Sequence, residues 1–293
     1  PRPFAEPYFA DWAQSSLPRA GGDYTTTLDP ALQRALARRI DERAAELGCS
    51  AAGVLLDVRT GAVRAFACSG DYFADGEGQV NAALAPRPAG STLKPFILAA
   101  ALDQGIVGPD ETLLDAPRHF AGGFSPVNFD GGFRGPVPAS DALVLSLNIP
   151  FIDLVTKVGL VRFNATLHAL GLDTVSPSAQ THGAGIAVGN ADVRLLDLAN
   201  AYAAIARGGV HTPPRAMESS EPADAGARTF SQAACWLVSD ILSGEGRAQG
   251  AIGHIATAKL PRAAWKTGTS AANRDAWTIA WNPEWVVAVW CGH

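Results

Sequence analysis

Three short stretches of this chain carry side chains able to make and break an acyl bond. Ser91 and Lys94 stand three residues apart in Gly90-Ser91-Thr92-Leu93-Lys94-Pro95-Phe96, a spacing that puts both on one face of a helix. Pro95 lacks a backbone N–H and is tolerated only near a helix start. The helix predicted here therefore begins close to Ser91 and leaves its hydroxyl at the positive end of the dipole. A hydroxyl beside an amine can act as nucleophile and base, although the same pattern also describes a serine cap followed by a solvated lysine. The other two stretches are Ser146-Leu147-Asn148 and Lys266-Thr267-Gly268-Thr269. Random placement at this composition gives roughly 0.2 S-x-x-K, 0.4 S-x-N and 0.02 K-T-G matches, so the three together argue for chemistry.

The lysines add an independent reason. Only four of the 23 Lys and Arg residues are lysines (Lys94, Lys157, Lys259, Lys266), and two of them lie in these stretches. Arginine does not lose its proton in a protein, whereas a desolvated amine beside another cation can be neutral near pH 7 and accept one. A base at position 94 therefore has to be lysine.

The elements that must hold these groups follow from the apolar pattern. Residues 1–22, rich in Pro and Gly, read as a linker or docking segment, and residues 23–293 as one domain. Asp29-Pro30 caps a helix with Leu32, Leu36 and Ile40 on one face that ends at Gly48, and two apolar strands over 51–58 and 62–68 form a hairpin. Gly- and Pro-rich residues 70–90 and 108–139 read as loops around the Ser91 helix. Ser140 is placed to cap a short helix through Leu145, and Pro150 opens another that ends at Gly159, which puts Ser146 and Asn148 on the turn between them. Further helices are predicted near 162–170, 191–207 and 232–242, and strands near 264–270, 277–281 and 285–290, with Lys266-Thr267-Gly268 on the first of these. The result is an antiparallel α+β fold: one sheet of about five strands built from both ends of the chain and flanked by helices, with a helical lobe inserted between.

Bulk properties narrow the function. With 293 residues, 47% hydrophobic content and a net charge of −5 without runs or stripes, the chain is globular and has no electrostatic case for binding nucleic acid. No apolar run approaches membrane-spanning length, and no signal peptide is visible. The four cysteines and six histidines show no metal-ligand spacing, so neither a metal nor another cofactor is expected; a disulfide from Cys49 or Cys68 is open to an oxidising compartment. A Ser-His-Asp hydrolase lacks its G-x-S-x-G, and Gly183-Ala184-Gly185 lacks the rest of a dinucleotide loop. The start on Pro1 and the strand-like finish at 284–291 read as the two cut ends of a fragment.

The S-x-x-K, S-x-N and K-T-G set resembles the penicillin-binding protein and serine β-lactamase/transpeptidase superfamily. Thr25-Thr26-Thr27-Leu28-Asp29-Pro30-Ala31-Leu32-Gln33 is similar to the opening of the transpeptidase domain of class A (bifunctional) members. Gly185-Ile186-Ala187-Val188-Gly189 through Ala201-Tyr202-Ala203 to Gly208-Gly209 is similar to a helical segment of the same proteins, nearest the 1C subgroup. Two departures are Gly189-Asn190, where many relatives have a glycine pair, and Leu147, where β-lactamases usually carry Asp. The resemblance implies a β-lactamase/transpeptidase-like fold and acyl transfer from D-alanyl-D-alanine stem peptides of peptidoglycan, with β-lactams as inhibitors. It implies Ser91 as nucleophile, Lys94 as base kept neutral by repulsion from Lys266, Ser146 as proton relay and Asn148 as holder of the donor amide. The N–H groups of Ser91 and Thr269 would form the oxyanion hole, with Gly268 giving close approach and the Thr267 and Thr269 hydroxyls binding the terminal carboxylate. It further implies a glycosyltransferase domain and a membrane anchor N-terminal to this segment, and a place at the periplasmic face of the bacterial inner membrane. A carboxypeptidase or β-lactamase using water as acceptor, or a sensor acylated without turnover, would share the donor chemistry.

Overall fold

A computed structural model of the chain describes residues 6–15, 23–76, 78–120, 125–219, 225–244 and 261–293. In chain order come α1 (Pro7–Gln14), α2 (Pro30–Leu47), β1 (Ser50–Asp57), β2 (Val63–Cys68), β3 (Arg87–Pro88), a 3-10 turn over Gly90–Leu93 and α3 (Lys94–Asp103). Next are β4 (Thr112–Asp115), β5 (Gly135–Pro138), α4 (Ala139–Val144), α5 (Ile149–Val158), α6 (Leu160–Ala169), α7 (Ala179–His182) and a second 3-10 turn over Gly183–Val188. The chain ends through β6 (Asp192–Val193), α8 (Leu195–Ala206), β7 (Val210–His211), β8 (Ala227–Arg228), α9 (Gln232–Leu242), β9 (Ala264–Thr269), β10 (Asp275–Trp281) and β11 (Trp285–Gly292).

The main sheet has the order β2-β1-β11-β10-β9, antiparallel throughout. Its centre is the pairing of β1 with β11, Ser50 opposite Gly292 and Asp57 opposite Trp285, so the two ends of the chain close one sheet, as the sequence predicts. On one face lies α2, its start fixed by Asp29, whose carboxylate accepts from the N–H groups of Ala31 (2.8 Å) and Leu32 (2.9 Å). Helix α8 packs against β11, β1 and β10. In α3 every residue from Lys94 to Ala101 is buried, which explains an apolar run with no polar stripe: a helix surrounded on all sides has no wet face to mark. The lysine that opens it is therefore buried with the rest.

Four expectations change. Within the segment read as linker or docking, α1 buries Tyr8, Phe9 and Ala13, with Trp12 stacked on Phe66 at 6.1 Å; residues 1–5 and 16–22 lie outside the described residues. The loop reading of 108–139 misses β4 and β5, paired from Thr112–Pro138 to Asp115–Gly135. The helix predicted over 191–207 begins at Leu195 because β6 first pairs with β3. Ser140 is not a cap: α4 starts at Ala139, directly after Pro138, whose fixed φ prepares that start.

Asp197, in the first turn of α8, is pushed up to about 6 by burial, opposed by Arg194 at 3.8 Å. Its folded value lies above its unfolded one, so the stability it contributes is complete below about pH 4 and is lost as pH rises toward 6. Asp197→Asn should remove that loss. Urea midpoints at pH 4 and pH 7 should show wild type losing up to about 3 kcal/mol relative to the variant, and parallel pH dependences would refute this.

Candidate active site

Ser91 sits half-buried in the 3-10 turn that runs into α3, and the backbone N–H of Lys94 closes the turn on the Ser91 carbonyl. Neighbouring elements pin that turn. The Thr92 hydroxyl donates to Ala89 O (2.8 Å), Tyr202 OH donates to Thr92 O (2.7 Å), and Trp277 Nε1 donates to Pro88 O (3.0 Å). Tyr202 is itself held between the Phe96 and Trp281 rings, each 4.9 Å away. Two backbones press on the same turn. A Cβ at Gly189 would lie 1.9 Å from Gly90 O, and one at Gly268 would lie 2.6 Å from Thr92 Cγ2 and 2.9 Å from Ala89 O. These contacts seat the edge strand β9 against Ser91 and bring the backbone of Thr269 beside Gly90. Thr267 and Thr269 alternate outward on β9 and are exposed, while Lys266 and Gly268 face in.

The remaining groups form one hydrogen-bonded cluster. Lys94 Nζ donates to Ser146 O (2.6 Å) and Asn148 Oδ1 (2.7 Å) and lies 3.5 Å from Ser146 Oγ. Lys266 Nζ donates to Ser146 Oγ (2.8 Å) and Thr267 O (2.7 Å). Ser146 holds the left-handed conformation, φ 57°, at a cost of about 1–2 kcal/mol for a residue with a Cβ. Its carbonyl and hydroxyl thereby both reach the Lys94 amine. The sequence places Ser146 and Asn148 on a turn between helices but carries no sign of this backbone strain.

The electrostatics favour a neutral Lys94. The side chain is 0% exposed, and its amine is held well below the ordinary lysine value, first by burial, then by the Lys266 charge, with Asp115 acting in the opposite sense. Sequence reasoning expects both desolvation and repulsion from Lys266, and of the two desolvation is the larger. An ammonium has three donors and no acceptor, whereas a neutral amine has two donors and a lone pair. The two short bonds of Lys94 go to oxygens that only accept, which uses both donors of the neutral form. Its lone pair is left for a hydroxyl proton.

Sequence reasoning missed the layer behind this cluster. Asn148 does not present a free amide: its Nδ2 donates to Val127 O (2.6 Å), and its backbone N–H donates to Asn128 Oδ1 (2.8 Å). Asn128 and its partner Asp115 fall in a Gly- and Pro-rich stretch where an Asn or Asp reads as turn chemistry. Only long-range pairing reveals them. Among the described residues, all four cysteines are free thiols, no group of three His, Cys, Asp or Glu is placed to hold a metal ion, and no helix is long and apolar enough to cross a membrane.

Comparison with known proteins converges on one family. Residues 51–291 match the penicillin binding protein transpeptidase domain. The chain is 36% identical over 274 residues to penicillin-binding protein 1C of Escherichia coli, covering 92% of this chain and 34% of that protein. It therefore spans about a third of that relative's length. The solved structure of PonA1 from Mycobacterium tuberculosis in complex with penicillin V is similar with a TM-score of 0.77 at 30% identity, covering 92% of this chain and 76% of that one. The D,D-transpeptidase domain of a peptidoglycan glycosyltransferase from Eggerthella lenta shares the fold, with a TM-score of 0.78 at 24% identity over 93% of this chain and 78% of that one.

Proposed function

The chain belongs to the penicillin-binding protein transpeptidase family, and from that premise we propose that it is a serine-type D,D-transpeptidase that cross-links peptidoglycan stem peptides. The observation that carries this reading is Ser146 Oγ, placed 2.8 Å from Lys266 Nζ and 3.5 Å from Lys94 Nζ beside the Ser91 turn. The Lys94 lone pair takes the Ser91 proton as Oγ bonds to the carbonyl carbon of the penultimate D-alanine. The N–H groups of Ser91 and Thr269 receive the oxyanion, where one donor is worth about 3 kcal/mol. When the intermediate collapses, the C–N bond breaks and the proton passes from Lys94 through Ser146 to the departing D-alanine nitrogen. Lys266 holds Ser146 in place, and Thr267 and Thr269, exposed on the β9 edge, receive the terminal carboxylate.

The acyl-enzyme is then attacked by an amine of a second stem peptide, whose proton returns by the same relay. The product is a 4-3 amide cross-link. A β-lactam presents its ring amide in place of the donor, and ring opening leaves the acyl group on Ser91. The whole protein is proposed to act at the periplasmic face of the bacterial inner membrane, with a membrane anchor and a glycosyltransferase domain as its other parts.

The test is labelled penicillin in one reaction and a donor peptide with an amine acceptor in another. Wild type should carry the label on the peptide containing Ser91 and release cross-linked product, and Ser91→Ala should do neither. Absence of label at Ser91 refutes the reading; label with only hydrolysed peptide makes water the acceptor, and label without any product makes the domain a sensor.

A further inference from the structure

We propose that Asp115 and Asn128 are positioning residues for the active-site amine: Asp115 anchors Asn128, Asn128 fixes Asn148, and the buried carboxylate offsets the Lys266 charge felt by the Lys94 amine. Asp115 is 0% exposed and Asn128 5%. Asp115 Oδ2 accepts from Asn128 Nδ2 (2.8 Å) and from the Arg134 backbone N–H (2.8 Å). Asn128 Nδ2 also donates to Gly132 O (2.8 Å), while Asn128 Oδ1 accepts from the Asn148 N–H (2.8 Å). With two acceptors on one side of the amide and a donor on the other, the Asn128 side chain has one orientation. The backbone carbonyl of the neighbouring Val127 accepts from Asn148 Nδ2 at 2.6 Å. Residues 127 and 128 therefore clasp Asn148 by its backbone and its side chain, and Asn148 Oδ1 is left directed at Lys94 Nζ, 2.7 Å away.

The carboxylate has a second task. Among the described residues Asp115 Oδ1 is buried without a hydrogen-bond partner, an arrangement that is costly unless a nearby cation offsets it. The charges acting on Lys94 are Lys266 from β9 and Asp115 from β4. On the other packed elements, Asp153 of α5 is paired with Arg118, while Lys157 of α5 and Asp141 of α4 are exposed. Without Asp115, two lysines would share the pocket with no buried anion among the groups acting on Lys94. With it, Lys94 can be neutral and yet basic enough to take a serine proton, because too depressed an amine is a poor acceptor.

The kinetic arm of the test rests on the proposed acyl transfer; the titration arm does not. The chain has only four lysines, so the Lys94 side chain can be followed by NMR in protein labelled at lysine. Asp115→Asn keeps an acceptor for both N–H donors, removes the charge and puts an amide NH2 where Oδ1 stood. It should lower the Lys94 titration midpoint by about one unit and move the acid limb of penicillin acylation to lower pH by the same amount. Asn128→Ala should leave the midpoint in place and lower the plateau acylation rate constant about tenfold to a hundredfold, without a matching loss of penicillin affinity. A folded Asp115→Asn protein with an unmoved midpoint overturns the charge balance, and wild-type plateau rates in Asn128→Ala overturn the clasp. If wild type itself is not acylated, the transpeptidase reading fails while the titration still decides the role of Asp115.

Discussion

Lys94→Met is expected to leave a folded protein that penicillin labels about 10⁴-fold more slowly, the upper end of what a positioned base contributes. Methionine matches the length of the lysine stem and fills the fully buried site without a basic nitrogen. Arginine is the poorer probe, because a larger and permanently charged group would be forced into a pocket already holding Lys266. Stopped-flow acylation with a chromogenic β-lactam reads the loss; labelling at the wild-type rate would remove Lys94 from the mechanism. The same variant has a thermodynamic signature. The folded value of Lys94 lies well below 10.5, so between the two values the unfolded chain binds more protons than the folded one, and stability rises with pH. Wild type should therefore gain up to about 1.4 kcal/mol per pH unit relative to Lys94→Met across that window. Urea titrations from pH 7 to 9.5 check it, and parallel curves for the two proteins would contradict the depressed value. Loss of the donors to Ser146 O and Asn148 Oδ1 adds a pH-independent cost of about 1–3 kcal/mol for each orphaned acceptor, which shifts the variant's curve without changing its slope.

Which parts of this site are legible in the sequence follows from the range of the interactions involved. Lys94 near a helix start is a local inference, since Pro95 and the i, i+3 spacing act within one turn. Lys266 on a late strand follows from period and residue type, and the sheet from apolar runs at both ends of the chain. Burial of Lys94 is not local. It depends on α5 and the Ser91 turn packing on α3, so sequence reasoning names desolvation and the second cation without showing which is the larger. The Asp115–Asn128 pair is further out of reach, for it joins two points of a stretch whose composition reads as loop and whose β4–β5 pairing is short. The left-handed Ser146 is hidden for a different reason. Its strain is maintained by the two lysines and the helices on either side, and the residue type itself argues against it.

Gly189→Ala tests whether the Ser91 turn is built by backbone contact. A Cβ there would stand 1.9 Å from Gly90 O and 2.1 Å from Gly90 N at a φ of +78°, so the variant has both to strain its own backbone and to push away the turn that holds Ser91. Overpacking of this kind adds about 1–3 kcal/mol to about 1 kcal/mol for the left-handed backbone. The expected total is about 3 kcal/mol, or roughly 5 °C in melting temperature for a domain of this size. Gly48→Ala is the matched control: φ is +62°, yet nothing lies within 4 Å of the added carbon, so only the backbone cost remains, about 1 kcal/mol. Penicillin labelling should fall with Gly189→Ala, because the displaced turn carries Ser91 away from the lysine cluster, and should be retained in Gly48→Ala, which lies at the far end of α2. Equal melting losses in the two variants, or full labelling of Gly189→Ala, would show that the Gly189–Gly90 contact does not set the position of the nucleophile. The next residue, Asn190, donates from Nδ2 to His182 O at 3.0 Å, so the close approach to Gly90 tested here is that of position 189.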